Sequence, residues 1–229
     1  MKRILVFFLL CPLLLLPAHA SDTPKYIALT FDDGPSGVFT ERLLDGLAER
    51  DAHATFFLCG YRIEQFPDVA ARIANEGHEV GTHGDAHKFF TSMKPAGVCS
   101  DLTAATEKIE RATGRAPTLL RPPGGLYDAS VLRQTVCADF PIILWSIDPE
   151  DWRRSDTAGI ASHILKRASS GDIILMHDLS NSSVDAALRV IDTLKAEGYN
   201  FVTISELARL SDTPLEAGKV YHQFSFSEK

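Results

Sequence analysis

The stretch YIALTFDDGP, residues 26–35, joins an almost continuous apolar run to two adjacent acidic residues, Asp32 and Asp33. Such a run is typical of a strand that is buried on both faces of a parallel sheet. The sequence Asp-Gly-Pro favours a turn after the strand. A turn explains the presence of Asp33 but not that of Asp32. Because neighbouring carboxylates repel each other unless a cation or a shared proton lies between them, the pair also fits a metal site, with one carboxylate as ligand and the other as base. This stretch alone leaves both interpretations open.

The rest of the chain repeats the pattern of a short apolar run followed by a segment of helical period. The apolar runs, which we predict to be strands, are residues 26–31, 54–59, 78–82, 118–121, 141–147, 172–176 and 200–204. The segments with apolar residues three and four apart, which we predict to be helices, are residues 38–50, 68–76, 95–113, 129–139, 158–168 and 184–197. This alternation predicts an α/β fold with a parallel sheet, either open and doubly wound or closed into a barrel.

Ionisable groups follow five of these seven predicted strands. They are Asp32 with Asp33, His83 with His87, Arg121, Asp148 with Asp151, and His177. Taken singly, they also fit a surface histidine pair, an exposed loop, a helix cap and a core histidine. In both open and barrel α/β folds, however, chemistry gathers beyond the carboxyl ends of the strands, so we expect these groups to form one site.

Two histidines four residues apart suit a single metal ion. With Asp33 they would make a set of two histidines and one carboxylate, Asp33, His83 and His87, that leaves positions open for water and substrate. Asp32 would then stand beside the activated water as its base. The ligand types favour zinc, with cobalt, nickel, manganese or iron as alternatives.

The first 20 residues are typical of a secretory signal peptide. Lys2 and Arg3 precede an apolar run over residues 4–16. Ala18 and Ala20 then supply the small residues before a cleavage point that we expect after Ala20. The run is too short for a membrane-spanning helix, which needs about 20 residues. We therefore predict a secreted or periplasmic domain, residues 21–229, with no stable membrane anchor after cleavage.

Loss of the two positive charges in residues 1–20 changes the net charge from -7 to -9. An acidic surface argues against nucleic acid or anionic lipid as the main partner. Cys59, Cys99 and Cys137 remain, and the only disulfide that we consider joins Cys99 to Cys137. The sequence leaves open whether the aromatic residues of the segment 211–229 pack on the domain.

Five short motifs make the chain similar to the polysaccharide deacetylases with a NodB homology domain, carbohydrate esterase family 4. The motifs are TFDDGP at residues 30–35, HGDAH at 83–87, RPPGG at 121–125, DPEDW at 148–152 and LMH at 175–177. The resemblance covers about residues 27–207. It implies a distorted (β/α) barrel of seven strands that removes N-acetyl groups from the amino sugars of a glycan, such as peptidoglycan or a chitin-like oligosaccharide.

The resemblance also implies a role for each residue. The implied metal ligands are Asp33, His83 and His87, the general base is Asp32 held by Arg121, and the general acid is His177 tuned by Asp151. Trp152 and Leu175 are implied to wall the pocket for the acetyl group, and a backbone N–H near Gly124 to stabilise the oxyanion.

Two residues depart from the family's pattern. Gly84 stands where Ser or Thr usually follows the first histidine, which removes a hydroxyl that could brace the metal-binding loop. Gly124 stands where an aromatic residue is common, so one wall of the groove is missing unless Tyr127 fills it. Two other hypotheses stay open, a non-catalytic carbohydrate-binding or metal-binding relic of this fold and a non-haem iron oxygenase. The presence of both a base, Asp32, and an acid, His177, favours a hydrolase.

Overall fold

Strand β1, Lys25–Asp32, is the centre of an all-parallel sheet in the computed structural model, which describes residues 24–226. The predicted signal peptide lies outside the described residues. The sheet has the order β3-β2-β1-β5, and β6 pairs with the first residues of β1. The partner strands are β2, Thr55–Leu58, β3, Glu79–Thr82, β5, Ile173–His177, and β6, Tyr199–Phe201.

Isolated bridges close this sheet into a distorted barrel. From β3 the pairing continues through Leu120 to a short strand β4, Ile142–Ile143, and Ile147 then pairs with Ile174 of β5. All of these bridges are parallel. A last strand, β7, Val220–Tyr221, pairs with β4 from outside this circuit. The structure therefore confirms the (β/α) barrel and excludes the open sheet that the alternation alone left possible.

Two predicted strands are much shorter than expected. Residues 118–121 contribute only the bridging residue Leu120, and residues 141–147 contribute only β4 and the bridge at Ile147. The side chain of Arg121 gives the physical reason, because its guanidinium donates to the backbone carbonyls of Ile143 and Leu144. Those carbonyls find their hydrogen bonds without a regular ladder.

The helices lie mostly where the period of apolar residues predicts them. Within residues 24–226 they are α1, Gly37–Glu49, α2, Gly60–Gln65, α3, Pro67–Asn75, α4, Pro95–Thr113, α5, Ala129–Cys137, α6, Thr157–Leu165, α7, Asn181–Ala196, and α8, Ile204–Leu210. Helix α4 has the predicted bounds, since Pro95 suits its first turn and Gly114, with φ of 74°, ends it. Helix α8 was not predicted, and its capping box of Thr203 and Glu206 ends the predicted strand 200–204 early.

Strand β1 alternates between two environments and so aims Asp32 into the barrel. Ile27, Leu29 and Phe31 pack in a buried cluster with residues of the surrounding helices. The residues between them face inward, where Thr30 and Asp32 are almost completely buried. The period of two along a strand therefore places Asp32 at the carboxyl end of the inner face, and Asp33 follows as the chain leaves the sheet.

No helix within the described residues is long and apolar enough to cross a membrane. Cys59 and Cys99 are free thiols, and Cys99 lies 2.9 Å from Gln134 Oε1. The structure therefore shows no disulfide at Cys99, and the side chain of Cys137 lies outside what it describes.

The segment after α8 packs on the barrel. Phe224 is buried in a cluster with Ala28 of β1 and Ile173 of β5. Tyr221 and Phe226 pack against the same cluster. The backbone N–H of Phe224 donates to the carbonyl of Gly171 at 2.8 Å. This settles for residues 211–226 the question that the sequence left open.

Replacement of Phe224 by Ala should lower the free energy of unfolding by about 3–5 kcal/mol, because it leaves a cavity under the sheet. Urea denaturation followed by circular dichroism measures this change, with the neighbouring exposed Ser225→Ala as the control variant. Equal midpoints for Phe224→Ala and wild type would show that the segment contributes no stability.

Candidate active site

Asp32 is paired with a guanidinium that has no contact with solvent. Arg121 is 0% exposed and its Nη1 lies 2.7 Å from Asp32 Oδ1. The same Nη1 donates to Thr30 Oγ1 at 2.8 Å. The Arg121 guanidinium also lies over the ring of Phe57, 4.2 Å from its centroid. Asp32 is therefore held by a fixed, charge-assisted hydrogen bond at the inner end of β1.

Asp33 turns away from its neighbour because its backbone is left-handed. Its φ is 67°, a conformation that Asp adopts more readily than most residues. The Asp33 carboxylate then faces two imidazoles, with Oδ1 3.4 Å from His83 Nε2 and 3.0 Å from His87 Nε2. The two adjacent carboxylates thus have different partners, which is how the chain accommodates both charges.

The donor atoms of Asp33, His83 and His87 converge as a metal site requires. One ligand atom from each lies within 4.8 Å of the others. His83 Nδ1 lies 2.7 Å from the carbonyl of Arg121, so Nδ1 carries the hydrogen and the lone pair of Nε2 faces the space between the three residues. Asp33 Oδ1 is buried and makes no geometrically sound hydrogen bond. These features fit a divalent cation bound to two imidazole nitrogens and one carboxylate oxygen.

The electrostatics of Asp33 favour its ionised form. Burial alone would raise the pKa of Asp33, but the neighbouring imidazoles of His87, His83 and His177 lower that pKa to about 2. A carboxylate that stays ionised at neutral pH is the form in which it binds a metal.

His177 lies beside Asp32 because the two residues are register partners in β1 and β5. Its Nδ1 lies 2.8 Å from Asp151 Oδ1, and its backbone N–H donates to Asp151 Oδ2 at 2.9 Å. Its Nε2 points toward the metal-ligand set, 4.0 Å from Asp33 Oδ2. Burial lowers the pKa of His177, but the hydrogen bond and charge of Asp151, together with Asp32 and Asp33, raise that pKa to about 9.

The residues predicted to line the substrate pocket have different exposures. Leu175 is buried beneath the site at 4% exposure, whereas Trp152 is 64% exposed on the short helix Asp151–Arg153. Gly124 lies in the short helix Pro123–Gly125 and has φ of 65°. Tyr127, two residues after the end of this helix, is 38% exposed. Gly124, Tyr127 and Trp152 lie on segments that leave the carboxyl end of the barrel, whereas Leu175 lies within β5.

Phe89 lies beside Gly124 and was not predicted to belong to the site. A Cβ on Gly124 would come within 2.9 Å of the Phe89 ring, which is 48% exposed. An aromatic ring from the segment after β3 thus occupies the space beside Gly124. Only tertiary structure brings these segments together, so the sequence carried no local signal for the contact.

Two buried carboxylates near the site, Asp178 and Asp101, were given no role from the sequence. Asp178 follows His177, is buried, and accepts a hydrogen bond from Thr40 Oγ1, and burial raises the pKa of Asp178 to about 6. Asp101 accepts hydrogen bonds from the backbone of the loop between His83 and His87. The sequence did hold a signal for Asp101, because it interrupts the buried apolar stripe of α4 formed by Val98, Leu102, Ala105 and Ile109.

Comparison with known proteins places the chain among deacetylases. The family model described as polysaccharide deacetylase matches residues 19–142, which is more than half of the chain. A peptidoglycan-N-acetylglucosamine deacetylase of Bacillus cereus is 37% identical over 190 residues, which cover 81% of this chain and 89% of the relative. The peptidoglycan-N-acetylmuramic acid deacetylase PdaC of Bacillus subtilis is 39% identical over 80% of this chain, which spans only 38% of that relative.

A solved structure shares both fold and sequence. The family 4 acetyl xylan esterase of Clostridium thermocellum, in complex with a cobalt ion, superposes with a TM-score of 0.81 and 29% identity. The match covers 87% of this chain and 98% of that structure. Together with the family model and the Bacillus cereus relative, it shows that the chain belongs to the polysaccharide deacetylase family, carbohydrate esterase family 4.

Proposed function

We propose that the protein is a metal-dependent hydrolase that removes N-acetyl groups from the amino sugars of a glycan, with peptidoglycan or a chitin-like polymer as substrate class. The observation that carries this proposal is the arrangement of unlike groups around one space. Asp32, paired with Arg121, and His177, paired with Asp151, are neighbours across β1 and β5, and both face the set formed by Asp33 and the two histidines.

Asp32 is suited to act as the general base. Its Oδ1 is held by Arg121, while its Oδ2 lies 3.7 Å from His83 Nε2 and so faces the metal-ligand set. In the proposed reaction Oδ2 takes the proton of the attacking water. Arg121 positions this carboxylate and does not itself reach the substrate, because it is completely buried.

His177 is suited to act as the general acid. Asp151 fixes its Nδ1, which leaves Nε2 to face the space beside Asp33. A pKa of about 9 keeps the ring protonated at neutral pH. Nε2–H would then protonate the amide nitrogen as the C–N bond breaks, releasing acetate and a free amine.

Asp33, His83 and His87 would hold the metal, for which we propose zinc. A divalent cation there would supply Lewis acidity, which lowers the pKa of a water and polarises the acetyl carbonyl. A backbone N–H near Gly124 would stabilise the developing negative charge on that carbonyl oxygen. The acetyl-binding pocket would be walled by Leu175 and Trp152.

An exposed apolar rim around this end of the barrel supports a glycan as the substrate. Six of the seven large hydrophobic side chains that are exposed among the described residues follow the carboxyl ends of strands or lie in the loops next to them. They are Val38, Tyr61, Phe89, Leu126, Tyr127 and Trp152. Aromatic rings present flat apolar faces that suit the C–H faces of sugars.

We also propose that residues 1–20 are a cleaved signal peptide and that residues 21–229, as a single domain, act outside the cytoplasm, where peptidoglycan lies.

The first test is acetate release by the zinc-loaded protein from chitin oligosaccharides and peptidoglycan fragments. Asp32→Asn should lower kcat by at least about 100-fold, because a general base contributes that much or more, while the bound zinc is retained. Asp192→Asn, the same change on an exposed face of α7, is the matched control and should leave kcat unchanged.

No acetate from either substrate, with one zinc bound per chain, would contradict the proposed activity and favour a binding relic or a different amide substrate. Acetate release that survives in Asp32→Asn would contradict the role of the base.

The second test concerns the pH dependence of kcat/KM. Because His177 must be protonated, activity should fall as the pH rises through the pKa of His177. Asp151→Asn removes the charge that raises this pKa, so the alkaline limb should move to lower pH by at least about one unit. An alkaline limb at the same pH in both proteins would show that another group titrates there.

A further inference from the structure

We propose that Asp101 of α4 is the residue that positions the loop of residues 83–87, and thereby sets the metal affinity of the site. This inference rests on the proposed function only in taking His83 and His87 as metal ligands. It assigns the bracing role, which a hydroxyl after the first histidine would serve, to a carboxylate from a different part of the chain.

Asp101 binds the middle of this loop through both carboxylate oxygens. Oδ1 accepts a hydrogen bond from the backbone N–H of Asp85 at 2.7 Å, and Oδ2 accepts one from Ala86 at 3.3 Å. Asp101 is 9% exposed. A partly desolvated carboxylate that accepts two backbone N–H groups is a strong and directional acceptor, so it fixes the peptide units between the two histidines.

Gly84 is required for this contact. A Cβ at Gly84 would lie 2.7 Å from Asp101 Oδ1 and 3.2 Å from the ring of Phe90. The φ of Gly84 is 79°, which also disfavours any residue with a side chain. Gly84 and Asp101 therefore form one unit, in which the absence of a side chain leaves room for the carboxylate.

Backbone hydrogen bonds hold the opposite edge of the loop, and a salt bridge adds a second contact with α4. The carbonyl of Gly84 accepts from the N–H of Gly60 at 3.0 Å, and the carbonyl of Asp85 accepts from Tyr61 at 2.9 Å. The Asp85 side chain pairs with Lys108 of α4 at 2.7 Å. The N–H groups of Asp85 and Ala86 thus point to α4, and the carbonyls of Gly84 and Asp85 point to α2, which leaves the loop little freedom to tilt.

The loop contacts of Asp101 affect the metal site through the position of His87. His83 is buried directly after β3, but His87 has a side chain that is 35% exposed and φ of 51°, and it comes after the braced peptide units. Without Asp101 the N–H groups of Asp85 and Ala86 lose their acceptor, so the loop can relax and His87 can move away from Asp33. Preorganisation of the three ligands would be lost, and metal affinity would fall.

The test measures the zinc dissociation constant of the purified protein by competition with a chromophoric chelator, and needs no glycan substrate. Asp101→Ala should weaken zinc binding by at least about 10-fold, as is typical when a group that orients metal ligands is removed. Asp101→Asn keeps one carbonyl acceptor for the Asp85 N–H and should weaken binding less than Ala does. The d–d absorption of cobalt-loaded Asp101→Ala should differ from that of wild type, because the histidine geometry changes.

Ile109→Ala is the matched control, since it removes a buried side chain from the same helix without touching the loop. It should lower the melting temperature while zinc affinity stays within twofold of wild type. Gly84→Ala gives a second route to the same result, because its Cβ would displace the carboxylate, and it keeps the test decisive if Asp101→Ala does not fold.

Zinc affinity that is unchanged in Asp101→Ala, or in Gly84→Ala if Asp101→Ala does not fold, would overturn this inference. Equal weakening by Ile109→Ala and Asp101→Ala would overturn it as well, because general stability would then explain both. A wild-type protein that binds no zinc would instead contradict the proposed metal site, so the two failures are distinguishable.

Discussion

A fully buried guanidinium is the constraint on which the site depends. Arg121 has no access to water, so its N–H groups must be satisfied inside the barrel, and they bind the carbonyls of Ile143 and Leu144, the hydroxyl of Thr30 and the carboxylate of Asp32. Removal of one partner from such a pair leaves an uncompensated buried charge, which typically costs about 3–5 kcal/mol. The same contacts complete the irregular part of the barrel and keep the Asp32 carboxylate oriented. The Arg121 side chain therefore serves both the fold of the barrel and the orientation of Asp32.

The two adjacent carboxylates become compatible because the backbone separates them. Asp32 belongs to the inner face of β1 and is neutralised by Arg121, whereas the left-handed Asp33 points to His83 and His87. A third pair is formed by Asp151 and His177. Asp151 raises the pKa of His177, whose positive charge then lies next to the carboxylates of Asp32 and Asp33. Each charge has a partner of opposite sign, and one oxygen of Asp32 and one nitrogen of His177 remain directed at the space between them.

Local patterns in the sequence sufficed for the regular part of this structure. Continuous apolar runs predicted β1, β2, β3 and β5, and the period of α4, with Pro95 and Gly114 at its ends, predicted that helix to the residue. Most of the ionisable residues that were predicted to meet after the strands do lie in contact with one another, namely Asp32, Asp33, His83, His87, Arg121, Asp151 and His177. Asp148 instead accepts a hydrogen bond from the backbone N–H of Glu150. The predicted strand 141–147 is shortened to β4 because the carbonyls of Ile143 and Leu144 accept hydrogen bonds from the side chain of Arg121. Strand β7 was not predicted, because its two residues are too few to show a pattern. Phe89 was not predicted as a member of the site because its contact with Gly124 joins separate segments of the chain. Asp101 was not predicted either, although a polar residue in the buried stripe of α4 was a usable signal.

Anomalous X-ray diffraction from crystals of the zinc-loaded protein would test the division of labour between Asp32 and Asp33 most directly. We expect one zinc ion bound to Asp33, His83 and His87 at about 2.0–2.2 Å, with Asp32 off the metal and still bonded to Arg121. A zinc ion bound directly by Asp32, or one bound elsewhere on the chain, would contradict the assignment of ligand to one carboxylate and base to its neighbour.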